Sequence, residues 1–175
     1  MLNFRLAQTT DIPALIKLVE SAYRGDASRA GWTTEADMLD GQRIDADSLQ
    51  KTLSTPDNRI LLAEKDGDLL ACCHVEKQEN SAAYFGMFSV QPGLQGSGIG
   101  KLLLAEAERQ ARDELGCPRM EMTVIDIRDS LIAFYERRGY ARTGIHKPFP
   151  YGDERFGIPK RDDLRFELLT KELLA

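Results

Sequence analysis

The 175-residue chain has the size and composition of one globular domain. Hydrophobic residues make up 42% and charged residues 29%, and no apolar run approaches the roughly 18 residues that span a bilayer, which argues against a membrane-spanning protein. The net charge of −5 argues against an extended nucleic-acid-binding face and favours an amine or another cation as partner. We therefore expect residues 1–175 to form a single domain with neither nucleic acid nor membrane as partner.

The N-terminus and the cysteines indicate where the protein works. Residues 1–5 are followed by no apolar stretch of signal-peptide length, so a cytoplasmic location is expected. Cys72, Cys73 and Cys117 are odd in number, and the adjacent pair would point to opposite faces of a strand. With only two histidines, the sequence has no recognisable cluster of metal ligands. Buried thiols and no metal site are the expectation.

A short strand and a helix open the chain. Residues 3–7 alternate apolar and polar side chains, as a half-buried strand does. Thr9-Thr10-Asp11 before Pro13 predicts a helix start. This helix is expected to bury four residues: Ile12, Leu15, Ile16 and Val19.

Residues 23–55 show a weaker pattern, with short helices predicted at 34–39 and 47–53. A long, partly irregular connection inside a compact domain is usually functional. We place candidate acceptor-binding residues here, namely Trp32, Glu35 and Arg43. An equally good interpretation is that Trp32 fills the edge of the core.

Three strands joined by short turns follow. They are predicted at residues 58–65, 69–78 and 82–91, with Asp66-Gly67 as the first hairpin turn. This order predicts an antiparallel meander. Its third strand leads directly into a glycine-rich segment.

The glycine-rich segment joins a strand to a helix. The strand ends at Pro92-Gly93, four glycines fall within residues 93–100, and a helix is predicted from about 98 to 115. Free amides and the positive end of the dipole at a helix N-terminus favour phosphate oxygens, and glycines let that backbone approach them. A G-x-x-x-x-G-K-[ST] loop fails at Gln95 and Leu102, and a G-x-G-x-x-G fingerprint from Gly96 fails at Lys101.

The helix after the glycines carries an apolar stripe. The stripe consists of Ile99, Leu103, Ala107 and Ala111, flanked by Leu102 and Leu115, and five charged residues are expected to face water: Glu106, Glu108, Arg109, Arg112 and Asp113. The next strand, at 119–125, must lie parallel to the one before the helix through a right-handed crossover. Ligands of such units bind at the carboxyl ends of the strands, which again points to the glycines.

The C-terminal third contains a compact helical unit and two more strands. Asp129 is predicted to cap a helix that carries Leu131, Ile132 and Tyr135, and Gly139 to end it. Strands are predicted at 141–146 and 163–170. The Pro- and Gly-rich aromatic loop at 147–159 between them is expected to border an acceptor site, or to be a flexible excursion.

Two segments together resemble one family. Gln95-x-x-Gly98-x-Gly100, after a strand ending Val90-x-Pro92, resembles the acetyl-CoA pyrophosphate loop of the GNAT superfamily of N-acetyltransferases, whose pattern is Q/R-x-x-G-x-G/A. The run from Ala133 through Tyr135 to Gly139-Tyr140 resembles the second GNAT signature. Finding the second about forty residues after the first is far more specific than either alone.

The resemblance implies a fold and a cofactor site. The fold is α/β (α+β), a GNAT-like domain with a mixed, mostly antiparallel, twisted sheet of about seven strands flanked by helices. The co-substrate is acetyl-CoA, with a backbone N–H near Phe88 acting on its thioester oxygen. Arg128 stands where many relatives carry a cofactor-contacting asparagine. The implied cofactor-binding residues are Phe88, Ser89, Val90, Gln95, Gly96, Ser97, Gly98, Ile99, Gly100, Lys101 and Arg128.

The resemblance also implies a catalytic residue. Tyr135 occupies the position of the family's general acid. A phenol of ordinary pKa about 10 can donate a proton to a leaving thiolate of pKa about 8.5. The alternative is that Tyr135 is a packing residue. The base stays open: the expected positions hold Tyr84, Gly86 and Thr123, and the substitutes are His74, Glu76, Glu121 or ordered water.

The sequence therefore predicts an acetyl-CoA-dependent N-acetyltransferase, an acyltransferase enzyme. It would move the acetyl group directly to a primary amine in a ternary complex. The acceptor would be a small-molecule amine or a peptide N-terminus. A non-catalytic acyl-CoA sensor on the same scaffold and transfer of a longer acyl group are the alternatives, and the resemblance leaves a homodimer open.

Overall fold

The protein is built on a seven-stranded sheet, seen in a computed structural model that describes residues 2–23, 39–40, 45–94, 96–148, 158–159 and 164–174. The strands lie in the order β1-β3-β4-β5-β6-β9-β7. Every neighbouring pair in this sheet is antiparallel except β5 and β6, which are parallel. The predicted mixed, mostly antiparallel sheet of about seven strands is thus confirmed. Its strands are β1 (Asn3–Leu6), β3 (Asn58–Lys65), β4 (Asp68–Lys77), β5 (Ala83–Val90), β6 (Arg119–Ile125), β7 (Ala141–Pro148) and β9 (Arg165–Glu172).

Four α-helices are found in the described part of the chain. They are α1 (Ile12–Tyr23), α2 (Ala46–Ser54), α3 (Ile99–Arg109) and α4 (Asp129–Arg137). A π-helical turn, Gln110–Glu114, continues α3. Two further short strands, β2 (Leu39–Asp40) and β8 (Ile158–Pro159), pair with each other antiparallel. Of the helix predicted at 34–39, Leu39 lies in β2, so that prediction is wrong there, and the preceding residues lie outside the described part.

The two faces of the sheet are covered by different helices. Leu61 and Cys73 belong to a core shared with α3 and α4, whereas Leu62 and Cys72 belong to one shared with α1 and α2. Adjacent residues on a strand point to opposite faces, so the apolar runs of β3 and β4 serve both cores. All three cysteines are buried free thiols, as predicted. We call the two sides the α3/α4 face and the α1/α2 face.

The turn chemistry explains how the meander forms. Asp66 and Gly67 have φ of 54° and 83°, the left-handed pair that a tight hairpin requires, and Lys65 pairs with Asp68 across it. Gly139, with φ 98°, ends α4 as predicted. The hairpin turn thus joins the paired strands β3 and β4, and Gly139 leads the chain from α4 into β7.

Several local predictions are wrong. Leu102 is 51% exposed, so it does not flank the apolar stripe of α3. Leu104 is the leucine that is buried beside the stripe. Glu108 does not simply face water: it accepts hydrogen bonds from Tyr140 Oη at 2.9 Å and Lys171 Nζ at 2.9 Å. Burial and this carboxylate raise the pKa of Tyr140.

The predicted cap of α4 is also corrected. Asp129 is the first residue of the helix, and Arg128 occupies the cap position without a side-chain cap hydrogen bond. At the start of α1, Asp11 lies in a short 3₁₀ turn, Thr9–Asp11, and its carboxylate accepts from the Gln8 amide and from Arg5. The helix itself begins at Ile12.

Candidate active site

The sheet opens where β5 and β6 diverge. The parallel ladder consists of two pairs, Ala83 with Met120 and Tyr84 with Glu121. Beyond them lies a small cleft of about 60 Å³ between the strands. It is lined by residues from both faces of the sheet: Phe85, Gly86, Met87, Phe88, Met122, Thr123, Val124, Ile125, Arg128, Leu131, Tyr135 and Phe166.

A β-bulge in β5 bends the strand at this point. Cys72 pairs with Ser89 and His74 with Gly86, so Met87 and Phe88 together lie opposite Cys73. Met87 has φ 53°, unusual for a residue other than glycine. A bulge increases local twist and interrupts pairing, which fits the early end of the β5–β6 ladder. A glycine within an apolar strand, Gly86, is the sequence signal that could have indicated it.

The glycine turn presents a helix N-terminus at the end of β5. Gly96 and Gly98 have φ of 87° and 91°, and a Cβ on either would meet nothing within 4 Å. Gly98 occupies the N-cap position of α3, and as a glycine it has no side chain to accept from the first-turn amides. Ser97 and Lys101 are exposed beside them. The turn therefore offers the positive end of a helix dipole and first-turn amides to an anion, whereas the amide of Ser97 donates to Leu94 O at 3.1 Å.

Gly100 has a different role from the other glycines. A Cβ there would lie 2.9 Å from Phe88 Cζ and 3.6 Å from Val90 Cγ2. The missing side chain thus lets α3 pack closely on β5. The predicted pyrophosphate contact of Gly100 concerns its backbone amide in the first turn of α3, which this packing leaves in place.

Of the other predicted β5 residues, Phe88 lines the cleft. Phe88 and Val90 are buried in the α3/α4 core, and Ser89 is buried with its hydroxyl donating to Met87 O at 3.2 Å. The hydroxyl of Ser89 is therefore engaged inside the protein. What this strand presents toward β6 is its peptide edge.

Tyr135 forms part of the cleft wall on the α3/α4 face. Its side chain is buried, and its ring contacts Phe85 at 6.3 Å, Phe88 at 6.2 Å and Phe134 at 5.5 Å between centroids. Such tilted and edge-on contacts fix a ring in place. Packing and a role in the cleft are therefore compatible for Tyr135. Arg128, also buried, lines the same cleft.

The residues considered as bases lie together on the α1/α2 face. Tyr84 Oη lies 2.7 Å from Thr123 Oγ1, and His74 Nε2 lies 2.7 Å from Asn58 Oδ1. Burial lowers the pKa of His74 to about 4, so its imidazole is neutral near pH 7. Glu121 accepts from Gln78 Nε2 at 3.0 Å.

Position on that face does not bring all of these groups to the cleft. Thr123 and Gly86 line it. Among the described residues, the lining of the cleft does not include Glu76, Glu121 or His74. Tyr84 is not in the lining either, but its hydroxyl is hydrogen-bonded to that of Thr123, which is.

Sequence reasoning missed a cation beside the aromatic wall. The guanidinium carbon of Arg138 lies 5.1 Å from the centroid of the Phe134 ring, which stacks on Phe88 at 5.9 Å. Arg138 Nε is buried and has no hydrogen-bond partner among the described residues. The sequence signal was the basic pair after Glu136, which a helix C-terminus alone would explain.

Some predicted residues cannot be placed. Gln95, the acceptor candidates Trp32, Glu35 and Arg43, and the loop residues 149–157 lie outside the described residues. In the part of the chain that is described, no helix is long and apolar enough to cross a membrane.

Comparisons with known proteins agree with this geometry. The sequence matches the Acetyltransferase (GNAT) family over residues 15–140. It is 32% identical over 111 residues to an IAA acetyltransferase of Azospirillum brasilense, covering 62% of this chain and 69% of that protein. It is 33% identical over 66 residues to a mycothiol acetyltransferase of Salinispora tropica, covering 38% of this chain but only 22% of that protein.

Solved structures share the fold. A proposed phosphinothricin N-acetyltransferase superposes with a TM-score of 0.73 at 23% identity, covering 100% of both chains. The yncA protein of Salmonella typhimurium, solved with acetyl-CoA, gives a TM-score of 0.71 at 17% identity, covering 98% of this chain and 94% of that one. With the family match spanning well over half of the sequence, the chain belongs to the acetyltransferase (GNAT) family, whose acyl donor is acetyl-CoA.

Proposed function

We propose that this protein transfers the acetyl group of acetyl-CoA directly to a primary amine, with both substrates bound at once. The observation that carries the proposal is the cleft between β5 and β6, because its lining includes Tyr135 on the α3/α4 face and Thr123 on the opposite face. A donor and an acceptor can thereby meet from two sides without passing each other. We assign residues 1–175 to one N-acetyltransferase domain.

The donor site fits a phosphorylated thioester. Backbone amides at the start of α3, within Gly96 to Lys101, would hold the pyrophosphate. The amide of Ser97 is the exception, because it donates to Leu94 O at 3.1 Å. The edge of β5 at Phe88–Val90, beyond the short ladder with β6, would pair with the pantetheine arm as an added strand does. Arg128 in the cleft wall would bind a polar group of the same arm. When bound, acetyl-CoA supplies an activated acetyl group.

Tyr135 would hold the proton that the leaving thiolate needs. A phenol with an ordinary pKa of about 10 stays protonated at neutral pH, and it is a suitable donor to a thiolate of pKa about 8.5. The ring contacts with Phe85, Phe88 and Phe134 would keep its Oη in one position. Such fixed geometry lowers the cost of reaching the transition state.

A second candidate function is acyl-CoA sensing without transfer. It is favoured by one observation: the described residues that line the cleft include no carboxylate or imidazole to take the proton of the amine. The two functions differ in one product, free CoA, which only a transferase releases in the presence of an acceptor.

The experiment is an assay of free CoA with a panel of amines. Phosphinothricin, spermidine and a peptide with N-terminal alanine represent the acceptors named for other structures of this fold. We expect CoA release that depends on one of these amines and an acetylated product of matching mass. Tight acetyl-CoA binding with no release in any of the three reactions would support the sensor instead.

A further inference from the structure

Two hydroxyl groups meet where the cleft begins. Tyr84 lies in the last pair of the β5–β6 ladder, opposite Glu121, and its Oη lies 2.7 Å from Oγ1 of Thr123, two residues farther along β6. Thr123 lines the cleft, and both side chains are half-buried. The hydrogen bond therefore bridges the two strands at the closed end of the opening.

Gly86 makes room for this bridge. A Cβ at Gly86 would lie 3.2 Å from Cε1 of the Tyr84 ring, which is tighter than ordinary van der Waals contact. The ring therefore lies against the backbone of Gly86. A larger residue at this position would displace the ring and pull its hydroxyl away from Thr123.

The bridge is on the opposite side of the sheet from Tyr135. Gly86 is in register with His74, and His74 with Ile60, which belongs to the α1/α2 core. Phe85, the next residue on β5, packs against Tyr135 in the α3/α4 core. A molecule at the bridge and a thioester beside Tyr135 would thus face each other through the cleft.

We propose that the hydroxyl pair of Tyr84 and Thr123 binds and orients the amino group of the acceptor. The inference rests on the proposed function and deepens it by naming the acceptor subsite. The ligand it fits is a neutral primary amine. The pair is a binding and positioning element on the acceptor side, distinct from the donor-side role of Tyr135.

The hydrogen-bond inventory of the pair suits this role. One hydroxyl donates to the other, so the donating oxygen keeps lone pairs that can accept an N–H from an amine. Accepting an N–H leaves the nitrogen lone pair unused, and this lone pair must attack the acyl carbon. A group that instead donated to the nitrogen would block the attack.

The alternative is a purely structural bridge that ties β5 to β6. In that case the hydrogen bond would support the shape of the donor cleft, and its loss would weaken acetyl-CoA binding and lower the melting temperature. The acceptor-site proposal predicts a selective effect on the amine. The two explanations therefore differ in which substrate is affected.

The test uses shape-conserving variants of the full chain, Tyr84→Phe and Thr123→Val. With the amine that the wild type acetylates best among phosphinothricin, spermidine and the alanine peptide, we expect the KM for the amine to rise about three- to tenfold in each, the range of one neutral hydrogen bond. The double variant should be no worse than the poorer single one, because the pair acts as a unit. The Kd for acetyl-CoA should stay within about twofold.

Two further variants sharpen the test. Gly86→Ala should raise the amine KM of the wild type, because the new Cβ displaces the Tyr84 ring. In a Tyr84→Ala protein, which lacks this ring, adding Gly86→Ala should not change the amine KM further. Thr170→Val removes a threonine hydroxyl from β9 that donates to Met120 O and does not line the cleft, so it should leave the amine KM unchanged.

The outcomes separate the inference from the proposed function. If Tyr84→Phe and Thr123→Val are both active and the amine KM is unchanged in each, the inference is overturned and the proposed function stands. A weakened acetyl-CoA Kd with an unchanged amine KM also overturns it, in favour of the structural bridge. A wild type that binds acetyl-CoA but acetylates none of the three amines overturns the proposed function and the inference with it.

Discussion

Replacing Gly100 with alanine tests the close contact between α3 and β5. The new Cβ would lie 2.9 Å from Cζ of Phe88, nearer than real Cβ contacts allow. The ring is confined, because Phe88 is 5% exposed and contacts Phe134 at 5.9 Å and Phe85 at 5.5 Å between centroids. Something in this packed layer must therefore move.

The size of the effect follows from two opposing contributions. Alanine is favoured over glycine in a helix interior by about 1 kcal/mol, and less than that at the second residue of a helix. Overpacking a buried ring costs about 1–3 kcal/mol. We expect a net loss of about 1–2 kcal/mol in the free energy of unfolding, or about 2–8 °C in Tm for a chain of this size. Acetyl-CoA affinity should fall as well, since Phe88 lines the cleft.

The measurement is urea denaturation of Gly100→Ala beside Gly93→Ala. Gly93 is a matched control, because a Cβ there meets nothing within 4 Å and its backbone is not left-handed. The cost at Gly100 should shrink when Phe88 is also replaced by leucine. A Gly100→Ala protein as stable as wild type would refute the reasoning, since the ring would then have free space.

Three other changes test separate parts of the structure. Gly98→Val should weaken acetyl-CoA binding at least about tenfold by calorimetry, because a side chain at φ 91° distorts the amides and one hydrogen bond to a charged group contributes about 1.5–3 kcal/mol. Arg142→Met should cost about 2 kcal/mol of stability, because it strips the nearly buried Glu167 carboxylate of its bidentate partner. His74→Gln should flatten the pH dependence of stability. The pKa of His74 is about 4 in the folded protein and 6.5 ordinarily, so the unfolded chain binds more protons between these two pH values. The wild type therefore loses up to about 3 kcal/mol of stability as the pH falls from 6.5 to 4.

Each of these predictions has its own control. For Gly98→Val, some stability is also lost, because φ of 91° strains a β-branched residue, so affinity is compared on folded protein. Unchanged affinity would contradict the pyrophosphate placement. For Arg142→Met, adding Glu167→Gln should recover part of the loss, and a double variant worse than the single one would contradict a buried-charge penalty. For His74→Gln, urea midpoints that vary with pH between 4 and 6.5 as steeply as in the wild type would show that another group carries the effect.

The fold was predictable from the sequence because its signals are local. The Asp66-Gly67 turn, the apolar alternation of β3 and β4, and Gly139 after α4 each define one connection. A strand, helix and strand in succession then require one parallel pair. The glycine turn was predictable for the same reason, since its function lies in backbone geometry that glycines encode directly.

The rest of the site depends on contacts between distant parts of the chain. Nothing near Tyr84 indicates that its hydroxyl meets Thr123, 39 residues later. The bulge at Met87 arises from register against Cys73, and the role of Gly100 arises from the position of Phe88. The burial of Glu108 likewise depends on Lys171, 63 residues away. Periodicity within one element carries no information about such pairs.

The most direct test of the account is a side-by-side measurement of kcat and acetyl-CoA Kd for Tyr135→Phe. The substitution removes one hydroxyl and keeps the ring that packs on Phe85, Phe88 and Phe134. The account predicts a fall in kcat of about 100-fold or more with a Kd within about threefold of wild type. Equal kcat in the two proteins would contradict a proton donor at Tyr135.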